Sequence, residues 1–257
     1  MLTQTKVGRR TRITPELAAD RIFDRYKKEE RHDARKTDVK EDEALIQLKE
    51  AWGKFQWIED RNFSIMPYPH NYKAMCKLIK NLKYSAEDVE KFSLALCEFE
   101  HEEYFGTKAG LFLSALVNKG KDKNYVLHLN HLTKKVYGLG YQNTKHVIVN
   151  GDVDSNLGAE MKGGCITLNG NAEIFVGSGI KRGKIIVNGN VTHNLAEYME
   201  GGKIIINGNA GFEIGNFMNG GELHLNGEYE EVKYGSVLGG KIFHKGKLIC
   251  DHGDCVE

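Results

Sequence analysis

Apolar residues recur every 19 positions through the C-terminal half of this chain. Six lines of sequence align without gaps when their first positions are Lys145, Gly164, Gly183, Gly202, Gly221 and Gly240. Positions within a line are numbered below as offsets from that first residue. Apolar residues at offsets two and four alternate with polar or outward positions, a pattern typical of a short strand with one buried face. A fixed short period predicts a solenoid, in which each coil buries its apolar side against its neighbours.

Five apolar columns run through the aligned lines. Offset two holds Val147, Ile166, Ile185, Ile204, Leu223 and Ile242. Offset four holds Val149, Leu168, Val187, Ile206 and Leu225, with His244 in the last line. Further columns stand at offset eight (Val153 to Tyr229), offset twelve (Leu157 to Ile214, then Lys233) and offset sixteen (Met161 to Val237). Each line therefore carries three apolar stretches, which predicts a three-sided coil.

An Asn-Gly pair follows the first strand of every line except the last, from Asn150-Gly151 to Asn226-Gly227. Both residue types tolerate the left-handed backbone conformation, so we expect a sharp corner here. We expect the asparagine side chains to stack into a hydrogen-bonded ladder from coil to coil.

Two other architectures fit the repeat less well. Asn-Gly is a strong β-hairpin signal, but a hairpin does not explain the same 19-residue step repeated six times. A left-handed solenoid requires an apolar residue every six positions. Offset fourteen breaks that rule because it holds Ala159, Ser178, Glu197, Asn216 and Gly235. Right-handed coiling is favoured.

The N-terminal half is predicted to be α-helical. Residues 1–42 are predicted to be a charged arm or helix. Within them, Thr14-Pro15 is a signal for the start of a helix. Helices are then expected from Glu43, near His70–Leu82, near Ala86–Phe105 and over Ala109–Val117. The two prolines between residues 66 and 69 forbid helix continuation there.

Two features make the helical prediction specific. Ser85 is a suitable N-cap, and Asp88 three residues later completes a capping box. An aromatic core is expected from Trp52, Phe55, Trp57, Phe92, Phe99 and Phe112. The predicted fold class is α+β with several domains. An α-helical domain over residues 1–124 precedes a right-handed parallel β-helix of about six 19-residue coils over residues 125–257, with residues 125–140 as a capping segment.

The composition of the chain indicates which kinds of partner and which cellular compartment to expect. The formal net charge is +1 and the pI is about 7.7, so the whole chain has no excess charge that favours nucleic acid or anionic membranes. No apolar run approaches the ~20 residues that span a bilayer. The five cysteines are odd in number and scattered, a pattern typical of a reduced compartment. We expect a cytoplasmic protein that binds neither nucleic acid nor membrane.

The repeat has a more specific pattern at the end of each line. Three segments read Met-x-Gly-Gly-x-Ile or Leu and are followed by Asn-Gly; they begin at Met161, Met199 and Met218. This pattern resembles the "GXGXG" domain found in the large subunit of glutamate synthase and in formylmethanofuran dehydrogenase. The resemblance covers residues 138–257. It implies a right-handed β-helix that spaces or docks catalytic domains and has no catalytic residues of its own. The N-terminal half resembles none of the enzymes of those systems.

Candidate metal-binding residues occur in two places. Glu98 and His101 form a Glu-x-x-His pair, half of the set used in di-iron helical bundles, and the chain offers no second pair. Cys250, His252 and Cys255 supply ligands of the types that zinc prefers, but their spacing matches no common finger. Neither set predicts a metal site, and a solvated helix face and a solvated tail are favoured instead.

Residues for hydrolysis or nucleotide chemistry are not arranged in a known pattern. The chain lacks a phosphate-binding Gly-x-x-x-x-Gly-Lys-Ser/Thr loop and a Gly-x-Ser-x-Gly nucleophile elbow. A glycosidase requires paired carboxylates. The acidic residues of the coils occupy unrelated offsets: Asp152, Asp154, Glu160, Glu173, Glu197, Glu200 and Glu213. We predict no catalytic, cofactor-binding or metal-binding residues.

The favoured function is therefore a non-catalytic scaffold or assembly module. One alternative is an enzyme of unknown class with its site between the helical and solenoid parts, and another is a solenoid that binds a carbohydrate or other ligand. We expect a protein partner, or self-association, through the helical domain or the C-terminal coil. In that coil Ile242, Phe243, Leu248 and Ile249 are the apolar residues expected to be available.

Overall fold

The computed structural model describes residues 42–59 and 68–256 of the chain. The expected arm or helix before Asp42 and the break at Met66-Pro67 lie outside the described residues. The described residues belong to one compact unit, in which α-helices precede a β-solenoid of about six turns over residues 124–244. Every helix among the described residues is too short or too polar to cross a lipid bilayer.

The described residues form four α-helices: α1 (Glu43–Lys54), α2 (Tyr68–Leu78), α3 (Ala86–Ala95) and α4 (Phe105–Lys119). The predicted capping box at the start of α3 is confirmed. The Asp88 N–H donates to Ser85 Oγ at 3.2 Å, and the Ser85 N–H donates to the Asp88 carboxylate at 2.7 Å. Helix α2 begins before His70 and ends at Leu78 rather than at Leu82.

The predicted helix over Ala86–Phe105 is wrong in its second half. Helix α3 ends at Ala95, a 3₁₀ turn follows over Leu96–Phe99, and Tyr104 has a φ of 57° immediately before α4. This reversal brings both Phe99 and Phe105 onto Trp52, with ring centroids 5.2 Å and 6.1 Å away. Long-range aromatic packing therefore overrides the local helical pattern.

The predicted aromatic core lies around Trp52, which is fully buried. Phe92 and Phe112 also contact its ring, at centroid distances of 6.0 Å and 5.5 Å. The indole N–H donates to Glu102 Oε1 at 2.9 Å, and Lys108 Nζ donates to Glu102 Oε2 at 2.7 Å while lying 4.2 Å from the Trp52 ring centroid. The buried lysine is thus paired with a carboxylate and placed over an aromatic ring.

Helix α4 joins the helical part to the solenoid. It is buried on all sides along most of its length. The residues Gly106, Gly110 and Ser114 recur every four positions and therefore share one helix face. A Cβ atom at Gly110 would lie 1.9 Å from the Tyr137 carbonyl oxygen, and the Gly140 N–H donates to Ser114 Oγ at 2.8 Å. The small residues on this face of α4 let the backbone of residues 135–140 lie directly on it.

The solenoid contains a nine-stranded sheet and a three-stranded sheet. The large sheet has the strand order β1 (Asn124–His128), β2 (His146–Asn150), β3 (Lys162–Asn169), β5 (Arg182–Val187), β7 (Lys203–Ile206), β9 (Asn219–Leu225), β10 (Gly239–His244), β11 (Lys247–Asp251) and β12 (Asp254–Cys255). The small sheet has the order β4 (Ala172–Ile174), β6 (Val191–His193) and β8 (Ala210–Phe212). Strands β1 to β10 pair in parallel, and the last two strands pair antiparallel.

The strand register confirms the 19-residue repeat. Val147 pairs with Ile166, Ile166 with Ile185, and the same step continues to Ile204, Leu223 and Ile242. All six side chains are at most 4 % exposed. The columns at offsets four, eight, twelve and sixteen are also buried until the last two lines, where Tyr229, Lys233 and His244 are partly exposed.

The third side of each coil is a repeated turn rather than a strand. Residues 157–160, 176–179 and 195–198 are turns in successive coils. They contain left-handed residues at matching offsets, including Tyr198 and, in the next coil, Phe217, with φ of 52° and 54°. Apolar residues at offsets twelve and sixteen flank each turn and fill the interior from this side.

The left-handed conformation expected at the Asn-Gly corners is wrong. Of these ten residues only Gly151 has a positive φ. Glycine is required because successive corners stack closely: a Cβ at Gly189 would lie 2.4 Å from the Gly170 carbonyl oxygen. Positive φ occurs instead at the first position of each line from Gly164 to Gly240.

The first and the last parallel strands of the large sheet are both covered by a neighbouring element. At the first end, β1 lies beside helix α3, and Ser93 Oγ accepts the His128 N–H at 3.0 Å. β1 also pairs in register with β2, so the segment expected to cap the first coil begins as a strand of the stack. At the other end, β11 folds back on β10 and fills the place of the next coil. Ile242 is consequently fully buried and is not available to a partner.

Candidate interaction surfaces

The predicted asparagine ladder runs along one corner of the solenoid. Each Nδ2 donates to the Oδ1 of the asparagine one coil earlier, at 2.7–2.8 Å, from Asn226 back to Asn150. Each amide is thus hydrogen-bonded to its neighbour in the next coil, and the ladder supports the stack.

A second ladder stands two positions further along each coil. The backbone N–H groups of Asn171, Asn190, Asn209 and Glu228 each donate to the side-chain oxygen one coil earlier, at 2.7–3.0 Å. Asp152 begins this series. Sequence reasoning missed it, although the column of Asp and Asn at offset seven was visible and such side chains commonly accept backbone N–H groups.

Charged residues are segregated around the coil. Seven of the eight lysine and arginine residues between 145 and 244 stand at offsets seventeen to one: Lys145, Lys162, Lys181, Arg182, Lys184, Lys203 and Lys241. Nine of the eleven acidic residues stand at offsets seven to fifteen: Asp152, Asp154, Glu160, Glu173, Glu197, Glu213, Glu228, Glu230 and Glu231. The first set is named the basic corner and the second the acidic side. The acidic residues fill several neighbouring offsets, so no single column of the alignment shows the acidic side.

The basic corner contains a shallow concavity. It has a volume of about 490 Å³ and is lined by Lys162, Lys181, Arg182 and Glu200. Lys181 forms an ion pair with Glu200 at 3.3 Å, and Lys162 Nζ donates to Gln142 Oε1 at 2.9 Å. Lys162, Lys181 and Arg182 are exposed, and the carboxylate of Glu200 is exposed beside Lys181.

The acidic side concentrates negative charge. The pKa of Glu197 is raised above its ordinary value, because partial burial desolvates its carboxylate and the charge of Glu213 lies nearby. Lys135 pairs with Glu173, and Lys233 pairs with Glu231 at 2.9 Å. Both contacts are partly exposed, and such ion pairs contribute little to stability.

Exposed apolar side chains accompany both charged surfaces. On the outer face of the large sheet, Ile148 is 45 % exposed. Thr167 follows it in the outward column, and then Ile186 and Ile205, which are half-buried. On the acidic side, Tyr198 and Phe217 are 54 % and 42 % exposed and stack on each other at 5.2 Å. Exposed apolar residues in contact with each other, such as this aromatic pair, mark contact surfaces in many proteins.

The junction between helices and solenoid contains a polar network of tyrosines. Tyr141 Oη donates to Glu160 Oε2 at 3.1 Å, and Asn118 Nδ2 donates to Tyr72 Oη at 2.9 Å. Burial raises the pKa of both hydroxyls, so they remain protonated at neutral pH. Tyr125 is buried as well, and burial raises its pKa to about 12. These groups fasten two parts of the fold together.

The candidate metal ligands lie in two separate parts of the fold. Glu98 pairs with Lys49 at 2.8 Å, and His101 lies on the turn after it. Cys250 stands opposite Cys255 in the pair of β11 and β12, but Cys250 is fully buried whereas His252 is exposed at the turn between them. Among the described residues, no group of three or more His, Cys, Asp and Glu side chains is arranged to hold a metal ion.

Groups with shifted pKa values do not converge on a cleft in the part of the chain that the structure describes. A contact between a carboxylate and an imidazole joins Glu90 of α3 to His128 of β1, with Oε1 and Nε2 2.9 Å apart. This pair lies where α3 covers β1. Its position indicates a fastening role at the end of the sheet.

Comparison of the chain with protein-family models, with curated proteins and with solved structures found no match. The fold and the surfaces described above are therefore the basis for a functional conclusion.

Proposed function

We propose that this protein is a non-catalytic scaffold or interaction module whose solenoid presents an extended contact surface. The observation that carries the proposal is the outward column of the large sheet beside the basic corner, in which Ile148 is exposed and Ile186 and Ile205 are half-buried. Solenoids bind partners along such extended faces, because each coil adds a matching row of side chains.

The handedness and the type of the solenoid are part of the same proposal. We take the coil to be right-handed, since parallel strands joined by a crossover are right-handed in about 98 % of cases. A GXGXG-type solenoid is supported by the stacked glycines at the first position of each line. Gly202 is one of them, and a Cβ there would come within 2.8 Å of the Gly183 carbonyl oxygen in the preceding coil. A cytoplasmic location is part of this proposal and follows from the cysteine pattern of the sequence.

The two alternative functions have weaker support. An enzyme between the two parts would use the tyrosine junction, but Tyr68, Tyr72 and Tyr141 are engaged with neighbouring side chains there. A carbohydrate-binding solenoid would offer aromatic faces to sugar rings. One face of Tyr198 and one face of Phe217 lie against each other and are therefore not open to a sugar ring.

The proposal is tested by identifying partners through crosslinking in cells followed by affinity capture and mass spectrometry. The wild type is compared with the double variant Ile186→Glu and Ile205→Glu, which places charge in the outward column without entering the core. Thr192→Glu, on the exposed face of β6, is the matched control.

We expect the double variant to lose a specific set of partners that the wild type and the control retain. Equal recovery from all three proteins would contradict a contact role for this face. Circular dichroism spectra that match the wild type exclude unfolding as the cause of a loss.

A further inference from the structure

The charge segregation divides the solenoid into two complementary surfaces. The acidic residues occupy offsets seven to fifteen and the basic residues offsets seventeen to one, so the two surfaces cover different parts of each coil. Each surface also has apolar side chains at or beside it: Ile186 and Ile205 next to the corner, and Phe212, Tyr198 and Phe217 on the acidic side. One molecule thus offers both halves of a contact.

We propose that this chain self-associates side by side, with the basic corner of one copy lying on the acidic side of a second copy. The inference deepens the proposed function, on which it rests for the role of the solenoid as a contact surface. Such an interface uses two different patches, so it is heterologous and generates either a closed ring or a filament.

The spacing of the charges favours a second copy as the occupant. Lys162 lies opposite Arg182 in the adjacent strand, and Asp154 and Glu173 are equivalent residues of adjacent coils on the acidic side. Both rows are therefore spaced by the strand separation of ~4.8 Å. Two copies lying side by side bring positive and negative rows together at a common spacing over several coils. An unrelated polyanion would meet the corner without this match.

The size of the surface sets the strength of the contact. Six coils stacked at ~4.8 Å, each presenting about five residues at ~3.3 Å per residue, give a contact face of roughly 500 Å². A standard stable interface buries about 800 Å² on each partner. Exposed ion pairs are individually weak and are screened by salt. We expect association to be weak and to disappear in high salt.

The test uses sedimentation velocity of the full chain at increasing concentration, in low and in high salt. A corner-reversed variant changes three exposed basic residues to glutamate: Lys162, Lys181 and Arg182. A side-reversed variant changes three acidic residues to lysine: Glu173, Glu213 and Glu230. A control variant reverses three exposed lysines of or after helix α2 to glutamate: Lys73, Lys77 and Lys80.

We expect the wild type and the control to associate in low salt and to dissociate in high salt. Each reversed variant alone should remain monomeric, because like charges then meet. An equimolar mixture of the two reversed variants should regain association, because each supplies the charge that the other has lost.

Three results would overturn the proposal. The first is a wild type that stays monomeric at every salt and concentration. The second is association that the reversals leave unchanged. The third is a monomeric wild type that binds a DNA or RNA duplex through the basic corner. Partner capture in cells still tests the scaffold function if self-association fails, so the two proposals can fail separately.

Discussion

Replacing Gly110 by alanine should destabilise the protein although it adds a better helix former. Gly110 lies in the interior of α4, where its new Cβ would stand 1.9 Å from the Tyr137 carbonyl oxygen and 3.0 Å from the Leu139 nitrogen. Both neighbours are backbone atoms, so a rotamer change cannot relieve the contact. The backbone is also held from the other side, because the Gly138 N–H donates to the Ser155 carbonyl oxygen at 2.8 Å.

The expected magnitude combines two opposing effects. Alanine is preferred to glycine inside a helix by about 0.5–1 kcal/mol. The contact is ~1.5 Å shorter than an ordinary van der Waals separation, and overpacking of a tight core typically costs about 1–3 kcal/mol or more. A lost backbone hydrogen bond adds about 1 kcal/mol. The free energy of unfolding should therefore fall by roughly 2–3 kcal/mol, which corresponds to a Tm lower by about 4–12 °C for a chain of this size.

The assay is differential scanning calorimetry, with Gly53→Ala as the matched control. Gly53 lies near the end of α1, is exposed, and has no atom within 4 Å of the position of an added Cβ. That substitution should leave the Tm unchanged or raise it slightly, because only helix propensity acts. An equal or higher Tm for Gly110→Ala would refute the close approach of α4 to residues 135–140.

Further predictions concern the solenoid. Ile204→Asp should prevent folding or lower the Tm strongly, because the substitution buries an unpaired carboxylate. Ile205→Asp on the outer face should change the Tm little. Equal melting curves for the two variants would contradict the assignment of Ile204 to the interior. In the ladder, Asn188→Ala removes two hydrogen bonds and Asn226→Ala removes one, so the first should lower stability in urea about twice as much, by roughly 1–2 kcal/mol. Burial raises the pKa of Glu197 in the folded state, so ionisation of its carboxylate opposes folding above the unfolded pKa of about 4.3. Glu197→Gln should therefore raise the Tm at pH 7 and not at pH 3, and an equal shift at both pH values would exclude this cause.

Much of the solenoid was predictable because its stability is repetitive. Every coil must bury the same columns against the next, so the apolar period of the sequence shows the register directly, as for Ile185 and Ile204. The α3 capping box was predictable for a related reason, since Ser85 and Asp88 interact within one turn. In both places the determining contacts have a fixed separation in the sequence.

The surfaces were only partly predictable. The outward column at offset three, which includes Ile186 and Ile205, follows from alternation along the strand, because it lies between the inward offsets two and four. The grouping of charges was present in the sequence, but its meaning requires the position of each offset around the coil. Lys181 and Lys184 differ by three residues yet share one corner, whereas Glu197 lies on another side.

The sequence by itself determined the period, the inward columns, the asparagine ladder and the aromatic residues of the helical core, because these depend on local alternation or on a constant spacing. Tertiary structure alone decided the break after Ala95, the contact of α4 with residues 135–140 and the burial of Ile242. Those features arise from contacts between segments with no fixed separation in the sequence. The corner at Asn-Gly shows the same distinction: the residues were evident from the sequence, but the reason for glycine is the closeness of the next coil, which only stacking creates.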